Sequence, residues 1–283
     1  MSNSYPSNRV HGLFAHARYE VMPTAKIGDD VLAHVPPTVT LTVTAAQNKG
    51  MAPTLELATR FAEAGYRVIP HLAARMIHGR SELAEIVSRF CHEAAQGAVL
   101  SLIHISEPPV GQYASALDLL IDLRELGATF DHVGITGYPE SHPTIEDDIT
   151  IQAMWDKRLY ATHVVSNMTF DAEKLGAWVE RIRRRGVTLP VLVGVPGPVE
   201  RAKLLRMATT IGVGQSVRFL RKQKSVLARI AAPGFSPDRF VTRVAALAGD
   251  DNLHIEGLHV FTFNQVEAIE TWRQRLLNAT PGG

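Results

Sequence analysis

The stretch Gly134-Ile135-Thr136-Gly137-Tyr138-Pro139-Glu140-Ser141-His142-Pro143 sets the reading of this chain. An apolar run, Val133 to Ile135, leads into a turn that carries a phenol, a carboxylate and an imidazole. Pro139 and Pro143 stiffen that turn and remove backbone donors from it. A short buried strand ending in ionisable side chains is how α/β enzymes build sites: the scaffold stays apolar and the loop carries the chemistry. An ordinary rigid loop is the plainer alternative, and the flanking sequence decides between them.

The same alternation repeats on both sides. Short β-branched runs at 18–21, 38–44, 67–70, 98–105, 132–136, 163–166, 190–195 and 257–263 read as strands. Amphipathic stretches at 27–34, 53–64, 81–95, 112–126, 146–159, 172–185, 199–211, an insert to about 247, and 265–277 read as helices. Ser81 and Asp171 are the expected N-caps, and Gly65, Gly127 and Gly186 the expected left-handed helix ends. Strands alternating with helices give right-handed βαβ units and a parallel sheet. Eight units without an interrupting linker favour a closed (β/α)8 barrel, the TIM barrel, over an open doubly wound sheet. The expectation is one α/β barrel domain over residues 1–283, with residues 1–15 a flexible or peripheral segment.

The 283 residues are 46% hydrophobic, enough for such a core. Lys+Arg 29 against Asp+Glu 28 leaves a formal charge of +1, which gives no general attraction for nucleic acid or anionic membrane. Arg181, Arg183, Arg184 and Arg185 read as the solvated end of a helix, where cations suit the dipole. The single cysteine, Cys91, excludes an internal disulfide and reads as a buried helical thiol. The first eight residues lack an apolar signal core, and no run approaches the ~18 apolar residues of a membrane helix. A soluble cytoplasmic protein is expected, with its oligomeric state open. The histidines at 11, 16, 34, 78, 92, 132 and 254 are scattered, and no metal site is expected.

In a barrel of this kind the site forms at the C-terminal ends of the strands. Those positions hold Glu20, Thr44, His71 with Arg75, then Tyr138, Glu140 and His142, then Asn167, and finally Phe263 and Asn264. Glu20 lies among Tyr19, Val21, Met22 and Pro23, so partial desolvation is expected to raise its pKa, as a general acid near neutral pH requires. A salt bridge to a neighbouring arginine is the alternative. Gly212-Val213-Gly214 reads as a helix end, and Pro196-Gly197-Pro198 as a strand-to-helix turn.

Gly137-Tyr138-Pro139-Glu140-Ser141-His142-Pro143 resembles the Gly-Tyr-Pro-Glu-x-His-Pro signature of methylenetetrahydrofolate reductases. Other matches follow in order: Tyr19-Glu20-Val21-Met22-Pro23, Thr42-Val43-Thr44, Pro70-His71-Leu72, Val165-Ser166-Asn167 and His259-Val260-Phe261-Thr262-Phe263-Asn264. The resemblance implies reduction of 5,10-methylenetetrahydrofolate to 5-methyltetrahydrofolate by a nicotinamide cofactor, in one-carbon metabolism and methionine biosynthesis. It makes Glu20 the acid that promotes opening of the folate imidazolidine ring. It gives the folate substrate Asn167 for the pterin, with Thr44, Phe263 and Asn264 nearby and Phe219 as a stacking aromatic. It gives a cofactor His71, Tyr138, Glu140 and His142, the hydroxyl partners Asp147 and Asp148, and the cation Lys157.

The chain departs from the family at its fourth strand. Ser101-Leu102-Ile103-His104-Ile105-Ser106-Glu107-Pro108-Pro109 has neither the glycine nor the aspartate that face a flavin, and Glu107 is the nearest substitute. Only Lys157 and Arg158 remain as cations for a flavin diphosphate. The sequence is similar here to short actinobacterial members that take hydride directly from NADH. The expectation is NADH (or NADPH) as donor, with FAD bound weakly or not at all. Two alternatives stay open: the same couple run as 5-methyltetrahydrofolate oxidation in a demethylation pathway, and a non-catalytic folate- or nucleotide-binding barrel.

Overall fold

The computed structural model describes residues 5–45, 50–92, 99–103, 109–128, 130–142, 145–199 and 236–278. Eight strands appear: β1 (Arg18–Val21), β2 (Thr40–Val43), β3 (Val68–Ala73), β4 (Val99–Ile103), β5 (His132–Gly137), β6 (His163–Met168), β7 (Val191–Pro196) and β8 (Ile255–Phe261). Each pairs in parallel with its successor, and β8 returns to β1 with His259 opposite Arg18, so the sheet closes on itself. The helices of the described residues are α1 (Tyr5–Ala15), α2 (Ile27–His34), α3 (Ala52–Glu63), α4 (Arg80–His92), α5 (Ala116–Glu125), α6 (Asp147–Lys157), α7 (Ala172–Arg184), α8 (Pro237–Leu247) and α9 (Val266–Asn278). Parallel pairing puts every strand's C-terminal end on one face, and the connecting helices run back to the other. No helix among the described residues is long and apolar enough to cross a membrane.

Local chemistry explains the element ends. Asp171 caps α7 by accepting from the backbone N–H groups of Glu173 and Lys174. Gly65, Gly127 and Gly186 end helices with φ of 87°, 71° and 82°. The expected cap at Ser81 is not one: α4 begins at Arg80, and Glu82 reaches back to accept from His78 N at 2.7 Å. The helix expected from residue 112 begins at Ala116, because Ser115 and Asp118 form a reciprocal capping box.

From Tyr5 onward the N-terminal segment forms α1, which packs on the helix layer. Leu13 and Phe14 of α1 are buried, and Phe14 meets Trp272 of α9 edge-on at 4.8 Å. Arg273 of α9 also donates to the Phe14 carbonyl at 3.1 Å. That arginine and Gln274 share Glu270, whose carboxylate accepts from Tyr19 OH at 2.7 Å. Tyr19 thus faces the helix layer, and burial beside Glu270 pushes its phenol well up. Side chains alternate along a strand, so the outward Tyr19 sends its neighbours Arg18 and Glu20 inward.

At the N-terminal end of the closed sheet, Arg18 donates to His163 Nε2 at 2.7 Å. His163 Nδ1 lies 2.9 Å from Thr162 Oγ1, which accepts from Val133 N and bonds its carbonyl. A Cβ on Gly134 would sit 2.9 Å from His163 Nε2, so the glycine of the opening motif makes room for this imidazole.

Candidate active site

Glu20 ends β1 at the C-terminal face with its side chain 17% exposed. Its Oε2 lies 3.0 Å from His259 Nε2 on β8 and 3.9 Å from His71 Nδ1 on β3. The two imidazoles are 1% and 5% exposed. Their rings stand nearly parallel, 6.1 Å apart at 22°. Neither nitrogen of His71 has a hydrogen-bond partner among the described residues, and neither does His259 Nδ1. Buried polar atoms are nearly always satisfied, so nitrogens that find no partner among the described residues mark this cluster as a candidate site.

The seam between β8 and β1 is strapped beyond its ladder. Thr262 donates from its hydroxyl to the Glu20 carbonyl at 2.5 Å and from its backbone at 3.4 Å. Asn264 accepts from Met22 N at 2.8 Å and donates to Met22 O and Thr24 Oγ1. Phe263 and Asn264 adopt φ of 49° and 57°, the left-handed region that L side chains seldom enter.

The electrostatics correct one expectation. Burial is the largest influence on Glu20 and pushes its pKa up, as the sequence suggested. The hydrogen bond from His259 and the charges of His259 and His71 outweigh burial and carry the carboxyl below its usual value. Its partners are imidazoles, not the arginine of the alternative reading. Burial lowers His71 to about 4, so it is neutral near pH 7.

The remaining residues divide. Tyr138 follows β5 at the same face and packs against His142 edge-on at 4.8 Å. Burial raises its phenol, while a hydrogen bond with Thr136 opposes that. Thr44 follows β2, its backbone N–H bonded to Val21 O. Asn167 sits on β6 where the β6–β7 register slips, and its Oδ1 accepts from Met168 N at 2.8 Å. A Cβ on Gly194 would lie 2.4 Å from the Ser166 carbonyl, so that glycine permits the bulge that aims Asn167.

Five of the expected site residues have surroundings that the sequence did not show. Glu140 spends Oε1 on Thr169 Oγ1 and the backbone N–H groups of Phe170 and Asp171, stapling the β5 loop to the β6–α7 turn. Asn264 has its whole amide committed to the β1 loop and positions that loop instead of offering itself to substrate. Asp147 and Asp148 pair with Arg181, and Asp148 also with Arg185, so these carboxylates tie α6 to α7. Lys157 lies in the last turn of α6, the end that runs away from the strand C-termini, and burial lowers its pKa. Phe219 and Glu107 lie outside the described residues.

His259 received no role from the sequence, although its segment matched. Alternation supplied the missing signal: His259 and Phe261 share parity on β8, and His259 lies opposite Arg18. Glu20, His71 and His259 place ligand-type atoms within 4.8 Å of one another. Glu20 Oε2 and His259 Nε2 already face each other at hydrogen-bond distance, so the trio is read as a proton site.

The structure is similar to that of a phosphonomutase-type protein from Burkholderia cenocepacia J2315. The TM-score is 0.50 at 13% identity, covering 96% of this chain and 98% of that one. A lyase/mutase-type protein from the same organism gives a TM-score of 0.48 at 12% identity, covering 99% and 91%. At 13% identity the first likeness speaks to the fold alone. The sequence is more specific: residues 94–276, well over half of the chain, match the family model described as methylenetetrahydrofolate reductase. The signature around Tyr138 and the cluster around Glu20 thus lie in a chain that belongs to the methylenetetrahydrofolate reductase family.

Proposed function

We propose that this chain is a single complete (β/α)8 barrel that reduces 5,10-methylenetetrahydrofolate to 5-methyltetrahydrofolate, with NADH or NADPH as direct donor. The observation that carries the reading is Glu20: a mostly buried carboxyl, hydrogen-bonded to an imidazole, at the strand C-termini of a member of this family. A proton given to folate N10 breaks the bond from N10 to the bridging methylene and leaves an iminium at N5. The nicotinamide, when bound, supplies the hydride that turns that carbon into a methyl group, so one hydride and one proton are consumed per turnover.

The chain's own part is to bind, orient and protonate. Glu20 delivers the proton. It is ionised in the free protein at neutral pH, but substrate that covers it removes its remaining water, and burial is the influence that raises its proton affinity. Asn167, with Oδ1 held by Met168 N, offers its amide nitrogen to the pterin. Tyr138 and His142 form an aromatic wall at the same face. In this reading hydride passes directly from the nicotinamide, because the fourth strand lacks the glycine and the aspartate that face a flavin in the family.

Direct transfer requires both ligands in the site together. Initial-rate kinetics of NADH oxidation with methylenetetrahydrofolate are expected to give intersecting lines. Parallel lines, or stoichiometric FAD in the purified protein, would restore a flavin mechanism. Absence of NADH oxidation would leave a binding barrel.

A further inference from the structure

Among the described residues three imidazoles are buried inside the closed sheet, and their bonding differs. His163 is bonded at both nitrogens, to Arg18 and Thr162. His71 is bonded at neither among the described residues. His259 is bonded at one, to Glu20, and its Nδ1 is buried without a partner among them. We propose that His259 is the proton-holding and positioning partner of Glu20: the reaction's proton rests between Glu20 and His259 in the free protein and passes to the carboxyl when substrate covers it. This rests on Glu20 being the acid of the proposed reaction.

Geometry fixes the pair. A 3.0 Å contact between a carboxylate oxygen and an imidazole nitrogen is a charge-assisted hydrogen bond, among the stronger kinds a protein makes. Its two strands are cross-strapped by Thr262 and Asn264, so the separation is set by backbone and not by side-chain chance. Among the described residues, the ionisable groups that face His259 are Glu20 from β1, His71 from β3 and His163 from β6, with Arg18 behind His163. Burial holds His71 and His163 uncharged, at about 4 and about 2, so neither competes for a proton near pH 7. Arg18 turns its charge onto His163.

The transfer balances. The proton leaves His259 Nε2 for Glu20 Oε2, and folate N10 takes it from Glu20. The carboxylate is left ionised beside a neutral imidazole, and water recharges the pair after product leaves.

Two arms test this. His259→Gln keeps an amide donor near the Nε2 position but cannot hold a proton. Turnover at pH 7.5 should fall about 10–100-fold. The KM for folate should change less than about threefold, as expected when only transition-state stabilisation is lost. The alkaline limb of the pH–rate profile should move at least about one pH unit toward acid, because the pair's proton then has only the carboxyl to rest on, and a carboxyl holds a proton less tightly than an imidazole does. The second arm needs no turnover. Proton NMR of the substrate-free protein should show a downfield imidazole N–H signal from the Glu20–His259 hydrogen bond that disappears in Glu20→Gln. An unshifted profile, or a spectrum in which no such signal depends on Glu20, overturns the proposal. So does one equivalent of zinc in the purified protein that His71→Ala removes, which would make the trio ligands. If no variant or wild type turns over folate, the proposed reaction fails while the NMR arm still decides the pairing.

Discussion

The two ends of the barrel interior are both polar and both buried, yet they are built differently. At the N-terminal end, Arg18, His163, Thr162 and the backbone of Val133 form a chain in which each donor finds an acceptor. At the C-terminal end, Glu20, His71 and His259 share one good hydrogen bond and leave three buried nitrogens unmet among the described residues. Satisfied polar groups inside a sheet hold strands in register. Unsatisfied ones cost free energy and persist where a ligand meets them. The lower cluster should therefore respond to mutation as structure, and the upper one as chemistry.

The largest expected effect comes from Glu20→Gln. The amide keeps the shape but donates a proton poorly, so turnover should fall roughly 10²–10⁴-fold. Stability measured by denaturant should change by less than about 1 kcal/mol. A variant that turns over at near wild-type rate would make Glu20 structural and place the acid elsewhere.

The next pair breaks the comparison directly. His163→Ala strips Arg18 of its acceptor and should cost about 1.5–3 kcal/mol of stability, with the folate KM unchanged. His71→Leu replaces an imidazole that finds no hydrogen bond among the described residues by an apolar group of similar bulk and should cost less than about 1 kcal/mol, or stabilise. Its turnover should drop instead. If His71→Leu unfolds the protein and His163→Ala does not, the two ends have been read the wrong way round.

Acid titration sharpens the same contrast. His71 at about 4 and His163 at about 2 both lie below the 6.5 of an unfolded imidazole. The unfolded chain therefore binds more protons below pH 6.5, and stability falls as pH is lowered. Each contribution is complete above about pH 6.5 and is lost as pH falls toward the folded value. Each amounts to up to about 1.4 kcal/mol per pH unit within its window. Chemical denaturation at several pH values should show His71→Leu flattening the fall only down to about pH 4. His163→Gln should flatten it further into acid. An equal effect of both variants would contradict the burial difference.

Much of the scaffold was legible in the sequence, because strand alternation is local. The expected strands at 18–21, 132–136 and 163–166 lie within two residues of those observed, and Asp171 and the three left-handed glycines act as their residue types dictate. The misses are mostly long-range. The capping box of Ser115 and Asp118 is a local pattern that was passed over, but nothing local shows that Phe14 reaches Trp272 across the chain. Glu20 was found as a residue but its charge state was reversed, since His259 approaches it from 239 positions away. Glu140, Asp147 and Asp148 were chosen for carboxylate chemistry, and the fold spends that chemistry on a turn and on two arginines.

The smallest effect tests whether the upper cluster is held or merely adjacent. Asn264 ties β8 to the β1 loop by three amide bonds while sitting at φ 57°. Asn264→Ala loses the bonds and keeps a Cβ that the left-handed backbone resists. Asn264→Gly loses the same bonds without that strain. The glycine variant should be the more stable of the two by about 1 kcal/mol. Both should lose turnover to a similar degree, well short of Glu20→Gln, because both free the strand end that carries Glu20 past His259. Equal stability would mean that the backbone relaxes out of the left-handed region once the side chain is gone. Full turnover in the glycine variant would mean that Thr262, bonded to the Glu20 carbonyl, holds the pair unaided. Either result is read from a melting curve and a rate on the same preparations.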